Sequence, residues 1–286
     1  MVVVLVFLSL FTCAKMQQKN KKHIKRTLCM QIKGSDTIVT LVQALTENFV
    51  KQNPSLNVSV TGGGSGTGFA SLINGTCDVV MSSREIDERE KKLAKNRHIV
   101  PTEFKIGLDG LAVVVNKNNP VDKLTIEQLG NIFMAKITNW KVFGWVNKKI
   151  VILSRESNSG THMFFKAHVL RNSVRNANDE FAVQSLMMPS SQAIYDEVLQ
   201  NSNAVGYVGM GFTNEKIKTI SVAVNKISDY VYPTRESVTN GTYPISRILY
   251  LYTNGKPQGI VKMFIDYAIS DIGQKIVLEA DFVPIK

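Results

Sequence analysis

Gly62-Gly-Gly-Ser-Gly-Thr-Gly68 joins Leu56-Asn-Val-Ser-Val60, which alternates as a strand does, to Phe69-Ala-Ser-Leu-Ile-Asn-Gly75, which has helical spacing. Five glycines in seven residues free the backbone for φ > 0 and let its N–H groups approach a ligand closely. Apolar residues at 69, 72 and 73, with Gly75 as a stop, mark the helix. Strand, glycine turn and helix start together cradle an anion on backbone N–H groups and the helix dipole. Taken singly, the turn fits a simple chain reversal equally well.

Two further stretches repeat the chemistry. Met30-Gln-Ile-Lys-Gly-Ser-Asp-Thr37 runs from an apolar strand into small hydroxyl residues and opens a helix through Ile38, Leu41, Val42, Leu45 and Phe49. Ile150-Val-Ile-Leu153 delivers Ser154-Arg155-Glu-Ser-Asn-Ser159-Gly160-Thr161 and then a helical Met163-Phe164-Phe165. One such turn is ordinary. Three in one chain, the third carrying an arginine, point to a shared anion site. Ser82-Ser83 adds hydroxyls at the end of a further strand, Val79-Val80-Met81.

At 286 residues, 44% hydrophobic and 20% charged, the chain can bury a substantial core, and its length favours two domains over one. The net charge of +11 is concentrated at one end. Residues 1–26 hold six positive charges and no acid, which leaves +5 for the remaining 260 residues. No helix interleaves basic and aromatic residues, so nucleic acid is not an expected partner. Three cysteines and four scattered histidines give no metal-ligand spacing, and no metal or other cofactor is expected. His162, beside the third turn, reads as a helix-surface histidine.

Residues 2–11 form an apolar run too short to span a membrane and fit the core of an export signal. Leu10-Phe11-Thr12-Cys13 resembles a bacterial lipoprotein lipobox, with Thr12 departing from the usual small residue before the cysteine. Cys13 is therefore the expected lipidation site, residues 1–13 the signal and 14–26 a lysine-rich flexible tether. A plain signal peptide with an incidental cysteine is the alternative. Cys29 and Cys77 stand near two strands, and both a disulfide and two separate buried thiols stay open.

Beyond a charged helix over 87–96, Gly107-Leu-Asp109-Gly-Leu-Ala-Val-Val-Val-Asn116 reads as a buried strand with one acid near its start. Such a carboxylate needs a partner or serves a function. Leu124–Phe133, the 150–170 unit, Asn203–Gly209, Ile220–Val224, Tyr243–Tyr252 and a helix from Ile260 to Leu278 continue the alternation of strand and helix. The class is α/β, with parallel sheets expected.

Gly34-Ser-Asp-Thr37, Gly63-Gly-Ser-Gly-Thr-Gly68, Ser82-Ser-Arg84, Asp109-Gly-Leu-Ala-Val113, Ile137-Thr-Asn-Trp140, Arg155-Glu-Ser-Asn-Ser-Gly-Thr161, Asn203-Ala-Val-Gly-Tyr207 and Tyr243-Pro-Ile-Ser-Arg247 occur in that order. Together, over residues 28–286, they resemble the phosphate-binding proteins that feed phosphate ABC transporters. The resemblance implies a two-lobed periplasmic-binding-protein fold with mixed, mostly parallel sheets and a two-strand hinge. Residues 27–112 with 226–286 would form the first lobe and 113–225 the second. Inorganic phosphate would lie in the cleft, held by Ser35 and Thr37 of the first loop, Ser65 with Thr67 nearby, and Ser83. Arg155, Ser159, Gly160 and Thr161 would close from the second lobe. The partner would be the membrane permease of an ABC importer, and the protein a monomeric lipoprotein at the cell surface or in the periplasm.

Some members carry an aspartate where this chain has Ser83, to accept the phosphate proton. Asp109 is the first candidate for that role here and Asp36 the second. The position two after the arginine, acidic in some members, is Ser157. An enzyme is the rival class. Ser65 lacks a Gly-x-Ser-x-Gly frame because Thr67 replaces the last glycine, and Gly68-Phe69 rules out a nucleotide-binding P-loop. A phosphatase would need a nucleophile with a base, or a metal pair, and the sequence displays neither. Binding of sulfate, molybdate or a phosphonate on the same fold is a second alternative, and a surface lipoprotein whose fold is kept for adhesion a third.

Overall fold

The computed structural model describes residues 28–171 and 178–285. The expected signal (1–13), its Cys13 and the tether (14–26) lie outside the described residues. In chain order come β1 (Leu28–Gly34), α1 (Val39–Gln52), β2 (Leu56–Thr61), α2 (Ser65–Ile73), β3 (Val79–Ser82), α3 (Glu88–Asn96) and β4 (Pro101–Asn116). There follow β5 (Lys123–Thr125), α4 (Ile126–Phe133), β6 (Val151–Arg155), α5 (Gly160–Phe165), β7 (Leu186–Met188), α6 (Ser191–Gln200), β8 (Ala204–Gly209) and β9 (Ile217–Ala223). The chain ends with α7 (Arg235–Thr239), β10 (Ser246–Asn254), α8 (Gly259–Ile269) and α9 (Asp271–Glu279).

Local chemistry explains most of these elements. Strand β1 buries Met30 and Ile32 and turns Cys29 and Gln31 outward, the period of two of a half-covered strand. Helix α1 buries Leu41, Val42, Leu45 and Phe49 on one stripe. Capping boxes start α3, with Asp87 and Glu90, and α4, with Thr125 and Gln128. Helix α2 begins at Ser65, so part of the glycine stretch is helical and the turn itself is Gly62–Gly64. The helix expected over Ile260–Leu278 is two helices. Ser270 leaves the helical region and its Oγ accepts from Gly273 N, starting α9 as a new capped helix.

The strands form a mixed sheet in the order β2-β1-β3-β10-β4-β8-β6-β7, with β9 joining β4 to β5. β1 pairs in parallel with β2 and β3, and β6 with β7 and β8, whereas the ladders of β10 and β4 are antiparallel. Strand β4 belongs to both halves. Its residues 101–110 pair with β10, and 111–115 pair with β8. One large apolar core packs β1, α1, β3, α8 and α9 around Ile32, Leu45, Leu251 and Phe264. A second gathers Leu111, Phe133, Trp140, Phe165 and Tyr207, with Val238, Tyr243 and Ile245.

No bridge joins the two cysteines within the described residues. The β1–β3 register sets Ile32 opposite Val79, which leaves Cys29 exposed and out of line with Cys77. The half-buried Cys77 thiol faces the Gly68 carbonyl, and burial pushes its pKa up to about 12. Among the described residues no helix is long and apolar enough to cross a membrane.

Candidate functional site

Three strand-to-helix turns meet between the halves. The turn from β1 to α1 is tied to β3 by Ser35 N, which donates to the Met81 carbonyl at 2.8 Å. Ser35 Oγ accepts from Thr37 N at 3.2 Å and donates to Ser83 Oγ at 3.0 Å. Ser65, the first residue of α2, accepts from Ser83 N at 3.2 Å, and the two hydroxyls lie 3.5 Å apart. Ser35, Ser65 and Ser83 thus form one contiguous, buried array of hydroxyls. The turn from β6 to α5 faces it. Ser159 Oγ caps α5 by accepting from Thr161 N and His162 N. Gly160 presses against the array so closely that a Cβ there would lie 2.3 Å from Ser65 Oγ and 2.6 Å from Ser83 Oγ. The Thr37 and Thr161 hydroxyls share a hydrogen bond of 2.7 Å across the same gap.

Charge enters from behind this array. Asp109, on β4, is completely buried, and its Oδ2 accepts from both Nε and Nη2 of Arg247 on β10. Its Oδ1 accepts from Met210 N at 3.3 Å. Burial pushes the Asp109 carboxyl above its ordinary pKa, and the Arg247 guanidinium pulls the other way. Arg247 Nη1 donates to Thr161 Oγ1 at 3.0 Å, which links this ion pair to the hydroxyls. Arg155, buried at the end of β6, donates through Nη2 to Asp36 Oδ2 at 3.1 Å and to the Pro189 carbonyl at 2.9 Å. Its Nε and Nη1 go to the Met188 carbonyl and Ser191 Oγ. Burial lowers the Arg155 pKa and Asp36 opposes the shift.

Of the residues singled out from the sequence, Ser35, Thr37, Ser65, Ser83, Ser159, Gly160, Thr161 and Asp109 come together in this buried region. Arg155 and Asp36 pair beside it, and Thr67 is exposed on α2, outside the buried array. Within the glycine stretch, Gly63 N donates to Asp36 Oδ1 at 2.7 Å, Gly66 N to the Asn158 carbonyl at 3.1 Å and Gly68 N to the Gly64 carbonyl at 3.1 Å.

Three residues escaped the sequence reading. Arg247 lies in the inward phase of β10 with Leu249 and Leu251, and a buried-phase arginine beside an unpartnered Asp109 was the available signal. Asn158 contacts the glycine turn through backbone and side chain. His162 is buried rather than on a helix surface, because α5 is wedged with two faces covered. Its Nδ1 donates to the Arg155 carbonyl at 2.8 Å, and burial pulls its pKa down to about 4. Ser154 Oγ lies 3.2 Å from that nitrogen, but a nitrogen that donates to a carbonyl cannot take a proton from serine. The pair is not a nucleophile with its base.

The PBP superfamily domain matches residues 18–271 of the chain. The phosphate-binding protein PstS of Staphylococcus saprophyticus is 33% identical over 252 residues, covering 86% of this chain and 74% of that protein. PstS of Pseudomonas aeruginosa is 28% identical over 269 residues, covering 88% and 81% respectively. Among solved structures, a Clostridium perfringens protein with bound phosphate, assigned to phosphate ABC transport as a substrate-binding protein, matches with a TM-score of 0.80. Its identity is 30%, over 90% of this chain and 100% of that one. With a domain match over most of its length and a relative at this identity, the chain belongs to the PBP superfamily and, within it, to the PstS family of phosphate-binding proteins.

Proposed function

We propose that this protein binds inorganic phosphate outside the cytoplasm and delivers it to an ABC importer. The observation that carries the reading is the buried array of Ser35, Ser65 and Ser83, faced across a narrow gap by Ser159, Gly160 and Thr161. A phosphate anion entering a closed cleft loses strong hydration, and many donors must replace it. Hydroxyls and helix-start N–H groups do so without flooding the site with fixed positive charge. The named arginines are each already balanced by a carboxylate, Arg155 by Asp36 and Arg247 by Asp109.

In this reading residues 27–112 with 226–286 form one lobe, 113–225 the other, and the lobes close over the ligand. Arg155 retains one N–H beyond its four hydrogen bonds and offers it to the anion together with Ser159, Gly160 and Thr161. Arg247 joins the shell through Thr161. An ionised carboxylate has about four acceptor positions, and Asp109 uses three, two on Oδ2 and one on Oδ1. The fourth accepts the proton that phosphate carries near neutral pH and sulfate lacks.

Closure gives the importer's permease a surface that reports occupancy. Cys13 carries the lipid that holds the protein at the membrane, and residues 14–26 tether it. Replacing Cys13 with alanine then shifts the exported protein into the soluble fraction, and unchanged detergent partitioning would refute the anchor. Calorimetric titration of the purified protein with phosphate, sulfate and molybdate tests the ligand. Phosphate binds tightly under the proposal, and preference for either other anion overturns it.

A further inference from the structure

We infer that Asp36 and Asn158 form a latch between the lobes, which sets the affinity for the anion by stabilising the closed arrangement in its own right. The inference rests on the proposal that two lobes close over a ligand. Three direct contacts cross between the lobes, and a fourth, within the first lobe, orients Asp36. Asp36 Oδ2 accepts from Arg155 Nη2 at 3.1 Å while Asp36 Oδ1 accepts from Gly63 N at 2.7 Å. The Asn158 carbonyl accepts from Gly66 N at 3.1 Å, and Asn158 Nδ2 donates to the Gly63 carbonyl at 3.0 Å. The glycine turn is therefore a socket for the loop between β6 and α5. Gly64 permits the fit twice over. Its φ of 91° suits glycine, and a Cβ there would lie 2.8 Å from the Asn158 carbonyl oxygen.

The charged half of the latch carries most of its strength. The Arg155 side chain is 1% exposed and that of Asp36 24%, so the pair is largely shielded from water and salt. Without Asp36, a buried guanidinium faces carbonyls and one hydroxyl with no counter-charge, and opening the lobes to rehydrate it becomes favourable. The counter-charge to Arg155 comes from Asp36 on the facing turn rather than from its own loop, so the ion pair spans the two lobes. A ligand that binds the closed form has an apparent dissociation constant equal to its intrinsic one divided by the closed fraction. Weakening the latch lowers that fraction and weakens binding without removing a ligand contact.

Small-angle scattering of the full chain, with and without inorganic phosphate, combined with calorimetric titration, tests the latch. Asp36→Ala and Asn158→Ala are each expected to enlarge the phosphate-free protein and lower phosphate affinity about tenfold. Saturating phosphate returns both to the parent dimensions. Ser83→Ala, whose hydroxyl contacts lie within one lobe, weakens binding and leaves the phosphate-free dimensions unchanged. Asn158 is an exposed loop residue, so its variant reads the latch even where Asp36→Ala fails to fold. Weakened binding with unchanged phosphate-free dimensions in both latch variants overturns the proposal and makes these residues ligand contacts. Unchanged dimensions and unchanged affinity overturn it as well. A parent protein that ignores phosphate, with latch variants that still expand, supports the latch and refutes the ligand.

Discussion

Arg247 stands directly opposite Asp109 in the β4–β10 ladder, and two of its nitrogens converge on the same carboxylate oxygen, at 3.0 and 2.7 Å. Neither side chain is exposed beyond 1%. Removing one partner of such a pair leaves an uncompensated buried charge, which costs about 3–5 kcal/mol. Arg247→Met should lose that much in urea unfolding. The double variant Asp109→Asn with Arg247→Met should lose clearly less than the two single variants combined. Additive losses would show that the pair is not coupled.

Asp109→Asn alone probes selectivity. An amide at this position donates where the carboxylate can only accept, so the cleft should admit sulfate while phosphate weakens. The broken pair with Arg247 should also lower the melting temperature. Titration of the variant with both anions decides the assignment. Intact discrimination between them would move the proton-accepting role to Asp36 or another group.

Gly160→Ala places a methyl group against Ser65 and Ser83, at distances no real Cβ adopts. Overpacking of this kind costs about 2 kcal/mol, or roughly thirtyfold in phosphate affinity. The melting temperature should move little, because the facing turns can relieve the clash by separating. A variant that binds like the parent would place the anion elsewhere.

His162 gives the protein an acid-sensitive component. Its ordinary pKa of 6.5 falls to about 4 in the folded state because burial disfavours the charged ring. Above pH 6.5 the ring is neutral in both states and its contribution is complete. Between pH 6.5 and 4 the unfolded chain takes up a proton that the folded one resists, and stability falls by about 3 kcal/mol before levelling off. Urea unfolding at pH 7 and pH 4.5 should show this loss in the parent and a smaller one in His162→Gln. Equal losses would assign the acid sensitivity to other groups.

Much of the site was legible because its parts are local. A serine or threonine at a helix start or in the turn before it is recognisable from neighbouring residues: Ser65 and Ser159 stand at such starts, and Ser35 in the turn that precedes α1. The strand-and-helix alternation was legible for the same reason. What the sequence concealed depends on register and approach. Arg247 meets Asp109 across 138 positions through the pairing of two strands. Asn158 and Asp36 meet their partners where separate turns come within hydrogen-bond reach, which no spacing encodes. The break at Ser270 was hidden because α8 and α9 both keep helical periodicity, and the cap that divides them is a single serine.

Strand β4 is a shared wall. Residues 101–110 close the first half of the sheet beside β10, and the next residues of the same strand close the second beside β8 and β9. Loss of β4 from either half strips hydrogen-bond partners from the other, so the melting of one half is coupled to that of the other even though β2 and β7 leave each half an outer edge. Lobes built on separate strands would appear in calorimetry as two endotherms. Here one cooperative endotherm is expected, shifted upward as a whole by ligand, because a single strand running through both halves obliges them to unfold together.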